Sequence, residues 1–214
     1  FEAKNIECPR ANAEWLCAHV LKCSRLELYL HYFKTIDHEK LDFLRTLIKR
    51  RAKHEPLQYI LGETEFYSKK FQVDPRVLIP RPETEELIYQ LCEQCKNSSN
   101  QNILELGTGS GAIAITLAHL LQNVSVTATD ISEDALALAK KNARLNDLET
   151  KIRFLASGWF ENVEGIFDII VSNPPYLTEE EWETSASEVK NFEPRLALVA
   201  PDEGLQYLKL ILSN

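Results

Sequence analysis

The chain has 214 residues, 44% of them hydrophobic and 26% charged, and a formal net charge of −8. This is the composition of an ordinary soluble globular protein. The acidic balance argues against tight non-specific binding to duplex nucleic acid, which needs a basic face. No apolar run approaches the roughly 20 residues that cross a bilayer, and no cleavable signal pattern opens the sequence, so no membrane partner and a cytoplasmic setting are expected.

In chain order, apolar residues at helical spacing predict helices over residues 13–23, 25–31 and 39–53, with Leu41, Leu44, Leu47 and Ile48 on one face of the third. This helical unit, residues 1–62, is too small to be a stable domain by itself. Its basic run Lys49-Arg50-Arg51-Ala52-Lys53 reads as a solvated helix face. Glu55-Pro56-Leu57-Gln58-Tyr59-Ile60-Leu61-Gly62 breaks the periodicity. Residues 64–73, with Phe66, Tyr67, Phe71 and Val73, read as a β-hairpin inside a linker of residues 63–80. Pro80-Arg81-Pro82-Glu83-Thr84 reads locally as a helix N-terminus with proline at its first position and early acids.

The five cysteines are Cys8, Cys17, Cys23, Cys92 and Cys95. Cys92-Glu93-Gln94-Cys95 has the spacing of a redox or metal pair but lacks a second pair, so it reads as free buried or half-buried thiols with no metal expected. Residues 96–101 are polar enough for a mobile joint.

From Asn102 onward, apolar runs near 102–106, 124–129, 151–155 and 167–171 alternate with helical stretches near 111–122 and 133–146. The alternation predicts an α/β fold with a mainly parallel, Rossmann-like sheet and a ligand crevice at the carboxyl ends of its strands. Four segments converge on that rim. Glu105-Leu106-Gly107-Thr108-Gly109-Ser110-Gly111 is a strand end, a glycine turn and a helix start, where positive φ and free N–H groups let a ligand approach the backbone. Asp130, 19 residues past Gly111, puts a carboxylate at the tip of the second strand, placed to accept both hydroxyls of a ribose. Ser157-Gly158-Trp159-Phe160 follows the third strand, and Asn173-Pro174-Pro175-Tyr176 follows the fourth.

The glycine turn alone is ambiguous between dinucleotides and S-adenosylmethionine. A dinucleotide fingerprint needs Gly-x-Gly-x-x-Gly for its pyrophosphate. Here the third glycine comes one residue early and the strand carries Glu105, which suits a cationic amino group. In the tetrapeptide, Asn173 offers a side-chain carbonyl, and Pro174 and Pro175 remove two N–H donors and fix φ. Such an acceptor-rich loop suits a substrate NH2, and Tyr176 can stack on a flat group. The pattern resembles class I S-adenosylmethionine-dependent methyltransferases that alkylate amino or amide nitrogen.

Three further segments sharpen the resemblance: Glu55 to Gly62 as written above, Val77-Leu78-Ile79-Pro80-Arg81-Pro82-Glu83-Thr84-Glu85, and Phe192-Glu193-Pro194-Arg195-Leu196-Ala197-Leu198. With them the sequence, from roughly residue 10 to its end, resembles the bacterial release-factor glutamine methyltransferases, the HemK/PrmC group. The resemblance implies methyl transfer from S-adenosylmethionine to the N5 amide of the glutamine in the Gly-Gly-Gln loop of class I peptide-chain release factors, leaving S-adenosylhomocysteine. It implies that Glu105, Gly107, Thr108, Gly109, Ser110, Gly111, Asp130, Trp159, Asn173 and Arg81 hold the cofactor. It further implies that Asn173, Pro174, Pro175 and Tyr176 form the catalytic tetrapeptide and that residues 1–62 help dock the release factor onto a methyltransferase domain of residues 81–214. A monomer without stable nucleic-acid binding is expected.

Two departures stand out. Relatives commonly place an acid where this chain has Gly158, so no Asp side chain reaches the adenine there. The family sheet ordinarily has about seven strands and this sequence shows about five, which, with the absence of methionine, marks it as an expected fragment lacking strands at one sheet edge. Two other readings fit the motifs less well: an amino methyltransferase acting on a flipped nucleic-acid base, with Tyr176 stacking on it, and a non-catalytic protein that binds release factors.

Overall fold

A computed structural model describes residues 1–30, 35–95 and 100–214. The chain opens with α1 (Pro9–Leu21), α2 (Arg25–Leu30) and α3 (His38–Arg51). α1 starts four residues before its apolar pattern, because Pro9 at the first helical turn has a preset φ and no N–H to satisfy. Asp37 caps α3 by accepting from Lys40 N at 2.8 Å. Residue 31, the expected end of the second helix, lies outside the described residues. A short helix, α4 (Leu57–Leu61), closes on left-handed Gly62 where the periodicity suggests only a break. Leu16, Val20, Leu44, Leu47 and Ile60 bury one another to form the core of this unit.

Arg51 departs from the expected solvated face: it is 4% exposed. Its guanidinium donates to Asn12 Oδ1 at 2.7 Å, Glu55 O at 3.0 Å and Glu188 Oε1 at 2.6 Å. A charge this buried persists only when paired, and here the pairing ties the helical unit to the C-terminal part of the chain.

The hairpin of β1 (Glu63–Phe66) and β2 (Lys69–Gln72) turns through Tyr67 and Ser68, with φ of 49° and 58°. Two left-handed residues are what a tight two-residue hairpin turn requires. It is no loose linker. Phe66 and Phe71 stack edge-on at 6.0 Å within the same core as Ile103, Ile115 and Val126, and Tyr67 N donates to Glu85 Oε1 at 2.7 Å in α5 (Glu83–Cys95). Cys95 is buried and Cys92 half-buried in α5. Of the expected joint, residues 96–99 lie outside the described residues and Gln101 already belongs to a strand.

That strand is β3 (Gln101–Leu106), followed by α6 (Ala112–Leu120), β4 (Val124–Asp130), α7 (Glu133–Leu145), β5 (Ile152–Ala156) and β6 (Ile169–Ser172). The strand order is β5-β4-β3-β6, with every pair parallel. Among the described residues this sheet has four strands, at the four apolar runs named for it and one short of the expected count of about five, and the hairpin forms a separate two-stranded sheet. β6 begins two residues later than predicted. Asp168 clamps the sheet entry, its side chain accepting from Asn102 N at 2.8 Å and its backbone N–H donating to Asn102 O at 2.9 Å, and regular pairing starts at Ile169. After β6 come α8 (Glu179–Thr184), α9 (Ser187–Phe192) and α10 (Gln206–Leu212). Thr178 and Glu181 form a reciprocal cap on α8. Among the described residues no helix is long and apolar enough to cross a membrane.

Asn142 of α7 holds the two sheets in register with the glycine turn. It is 0% exposed, accepts from Gln72 N at 2.7 Å, and donates to Gln72 O and Ser110 O, each at 2.9 Å. Asn142→Leu strands all three backbone groups, so the expected loss is about 2–5 kcal/mol, measured as a lower denaturant midpoint with an unchanged m-value.

Candidate functional site

The carboxyl ends of the parallel strands open on a cavity of about 330 Å³, within the roughly 300–1,000 Å³ of small-molecule sites. Its floor is the turn after β3. Gly107 and Gly109 have φ of 73° and 54°, and a Cβ added at either meets nothing within 4 Å, so bare backbone faces open space. Gly111 works differently: a Cβ there sits 2.9 Å from Ile115 Cδ1 and 3.2 Å from Ala139 Cβ, so this glycine lets α6 lie against α7.

Arg81, Glu105, Gly107, Thr108, Gly109, Ser110, Asp130, Trp159, Asn173 and Pro175 all line the cavity. The other expected residues do not. Gly111 is committed to helix packing, Pro174 is buried, and Tyr176 is 59% exposed outside the cavity wall.

Each polar member is held by a specific partner. Asp130, the last residue of β4, accepts from Gly109 N at 2.8 Å and Ser132 N at 2.9 Å, one on each carboxylate oxygen. Glu105 is 1% exposed. Its Oε2 accepts from Thr108 Oγ1 at 2.6 Å and Ala114 N at 3.1 Å, and both bonds fall on that one oxygen. Burial pushes the Glu105 carboxyl up to about 8 against the pull of those two bonds, and the negative charge of Asp130 adds to the rise.

Arg81 donates from Nη2 to Glu193 Oε2, joining two segments 112 residues apart. Burial raises the Glu193 carboxyl above its ordinary value, opposed by the adjacent guanidinium. Asn173 donates from Nδ2 to Thr84 Oγ1 at 3.4 Å, and Thr84 also lines the cavity.

The tetrapeptide loop rests on the C-terminal segment. Tyr176 N and Leu177 N both donate to Leu198 O, at 3.1 and 2.9 Å, and Ala200 N donates to Leu177 O at 2.9 Å. Gly204, φ 81°, packs so closely that a Cβ would lie 2.2 Å from Tyr176 O.

Many lining residues lie outside the set expected from sequence, and three of them bear on the chemistry of the wall. Ser132 supports Asp130 and caps α7, which its position before two acids could have signalled. Ile131, 64% exposed, gives the wall an apolar patch. Tyr207 on α10 stacks against Trp159 with ring centroids 4.6 Å apart, and no local feature of residues 205–212 announces it. Trp159 holds a left-handed φ of 55°, a cost that tight turns at ligand sites bear. Among the described residues no group of His, Cys, Asp or Glu is arranged to hold a metal ion.

Comparison with known proteins places this geometry in a lineage. Residues 1–62 match the family described as PrmC N-terminal domain, and residues 84–192 match the methyltransferase small domain. The release factor glutamine methyltransferase of Chlorobaculum tepidum is 45% identical over 99% of this chain and 75% of its own length. That of Rhodopirellula baltica is 39% identical over 100% of this chain and 74% of its own. Among solved structures, the hMettl16 catalytic domain in complex with the MAT2A 3′UTR hairpin 6 superposes with a TM-score of 0.60 at 19% identity, covering 75% of this chain and 63% of that one. At that identity the likeness shows the methyltransferase fold alone.

Two outcomes follow from the geometry. Gly204→Ala forces the chain away from Tyr176 O in a left-handed conformation, for an expected loss of about 1–3 kcal/mol, read from denaturant midpoints. Glu105 makes stability pH-dependent. Its carboxyl titrates near 4.5 when unfolded and near 8 when folded, so between those values the folded chain binds one proton more. Its contribution is fully present below pH 4.5, declines as pH rises and is gone above pH 8. Glu105→Gln removes that slope: from pH 5.5 to 7.5 the unsubstituted protein should lose about 1–3 kcal/mol relative to the variant, measured by denaturant unfolding at both values.

Proposed function

The chain belongs to the release factor glutamine methyltransferase family, and we propose that it transfers a methyl group from S-adenosylmethionine to the N5 amide of the glutamine in the Gly-Gly-Gln loop of a class I peptide-chain release factor. The observation that carries this reading is that an asparagine followed by two prolines shares one cavity with an open glycine turn and a strand-end carboxylate. The cavity fits such a donor: it has bare backbone at Gly107 and Gly109, an acid at Asp130 and apolar surface at Ile131 and Trp159. When bound, S-adenosylmethionine supplies an electrophilic methyl group on a sulfonium.

The residues have distinct proposed tasks. Asp130 keeps unused lone pairs on both oxygens and accepts the ribose hydroxyls. Trp159 and Ile131 flank the purine. Glu105, whose Oε1 has no hydrogen bond among the described residues, and Arg81, with donors beyond the one given to Glu193, meet the charged amino-acid end.

An amide nitrogen is a poor nucleophile because its lone pair is delocalised. Asn173 Oδ1 and the Pro174 carbonyl accept its two N–H protons, which orients the nitrogen toward the methyl group. Positioning of this kind is worth several kcal/mol of the roughly 7–11 that orientation can supply. No strong general base is needed beforehand, because the proton becomes acidic only after transfer. The helical unit, residues 1–62, docks the release factor; exposed Trp15, Leu26, Tyr29 and Leu30 on α1 and α2 support that role.

The test is transfer of labelled methyl to a purified release factor, beside the same factor with Gln→Ala in its Gly-Gly-Gln loop and beside unmethylated DNA. Label should appear on the intact factor alone, and Asn173→Ala should lower kcat by about 100-fold or more. Label on DNA, or on the Gln→Ala factor, contradicts the reading.

A further inference from the structure

We infer that Tyr207 is the positioning residue that sets the indole of Trp159 as a platform for the purine of the methyl donor. The inference rests on the proposed placement of that purine beside Trp159. It adds a second residue, from another part of the chain, on which the placement depends.

The backbone at Trp159 is fixed from within its own loop. Ser157 N donates to Asp130 O at 3.0 Å, Ser157 Oγ donates to Trp159 O at 3.0 Å, and Asn162 N donates to Ser157 Oγ at 3.0 Å. These bonds hold the left-handed φ of 55°, which a bulky residue keeps where its surroundings over-determine it. They leave the ring free. A half-buried indole at a cavity rim turns between rotamers about its two side-chain torsions unless something covers one of its faces.

Among the described residues, the aromatic ring against Trp159 is that of Tyr207, with centroids 4.6 Å apart and planes tilted by 31°. A base lying between two rings needs them about 7 Å apart, two contacts of about 3.5 Å each. The pair is therefore closed to the purine, which meets the indole on the side that Tyr207 leaves uncovered. Both rings line the cavity, so the tyrosine decides where that uncovered side lies.

Tyr207 can serve as a fixed backing because the segment before it is anchored. Ala200 N donates to Leu177 O at 2.9 Å, Gln206 N donates to Pro201 O at 3.3 Å, and Gly204 packs hard against Tyr176 O. The same segment holds the tetrapeptide loop through Leu198 O. One stretch, residues 198–207, thus supports both the loop proposed to hold the acceptor amide and the ring proposed to hold the donor.

The experiment is calorimetric titration of S-adenosylhomocysteine into the unsubstituted protein, Tyr207→Leu, Tyr207→Phe, Trp159→Leu and the double variant Trp159→Leu/Tyr207→Leu. Leucine removes the ring from a half-buried position, and phenylalanine keeps the ring without its hydroxyl. Tyr207→Leu should weaken binding about three- to tenfold, the share that one aromatic pair carries. Tyr207→Phe should stay within about twofold of the unsubstituted protein. If the tyrosine acts through the indole, the two leucine substitutions are not additive: the double variant should bind within about twofold of Trp159→Leu alone. Full affinity in Tyr207→Leu, a phenylalanine variant as weak as the leucine one, or additive losses in the double variant overturns the inference. If the unsubstituted protein binds no S-adenosylhomocysteine, the proposed donor fails and this inference with it. If Trp159→Leu binds at full affinity, the purine does not rest on the indole, and this inference falls while the methyl-transfer reading stands. A weakened Trp159→Leu beside a Tyr207→Leu of full affinity sinks this inference alone.

Discussion

The site depends on one carboxylate. Asp130, at the end of β4, binds Gly109 N–H with one oxygen and Ser132 N–H with the other, and so joins the turn after β3 to the start of α7. Both turns would otherwise expose unpaired backbone donors at helix starts, where an anion is favoured. With Asp130 in place, the glycine turn keeps an open shape without a ligand. Asn142, one α7 face further along, then locks Ser110 O and the hairpin to the same helix. The parallel sheet supplies the rim, and these two side chains fix what stands on it.

The second constraint is burial of charge. Glu105 and Glu193 are both nearly inaccessible, and both are pushed toward the neutral form by that burial. Each is kept by partners that serve the cavity: Thr108 and Ala114 for Glu105, Arg81 for Glu193. Fixed groups of this kind need no reorganisation when charge moves in a nearby reaction. Arg51 applies the same logic away from the site, where its ion pair with Glu188 holds the helical unit against α9. α9 leads directly into Glu193, so the unit proposed to dock the protein substrate and the wall of the cavity share one short element.

Much of this architecture is legible in the amino-acid sequence alone. The alternation of apolar runs marks the parallel strands within a residue or two, and the rim residues from Gly107 to Asn173 are readable because strand ends, glycines and prolines announce themselves locally. Contacts between distant segments are not. The burial of Arg51 follows from Asn12 and Glu188, far away in sequence, whereas its own neighbours spell a solvated basic run. The hairpin reads as a linker because Phe66 and Phe71 are short-range signals of a strand, not of the core they enter. Tyr207 reaches the cavity only through the path of the C-terminal segment, and Gly204 looks like an ordinary turn residue although Tyr176 O lies hard against it.

The most direct test of the account is calorimetric titration of S-adenosylhomocysteine into the protein and into Asp130→Asn. The account predicts one-to-one binding to the unsubstituted chain, weakened roughly tenfold or more by the substitution, because an amide puts a donor NH2 where one carboxylate oxygen stood and so cannot both hold the two turns and accept both ribose hydroxyls. No binding to the unsubstituted chain, or equal affinity for both, would contradict it.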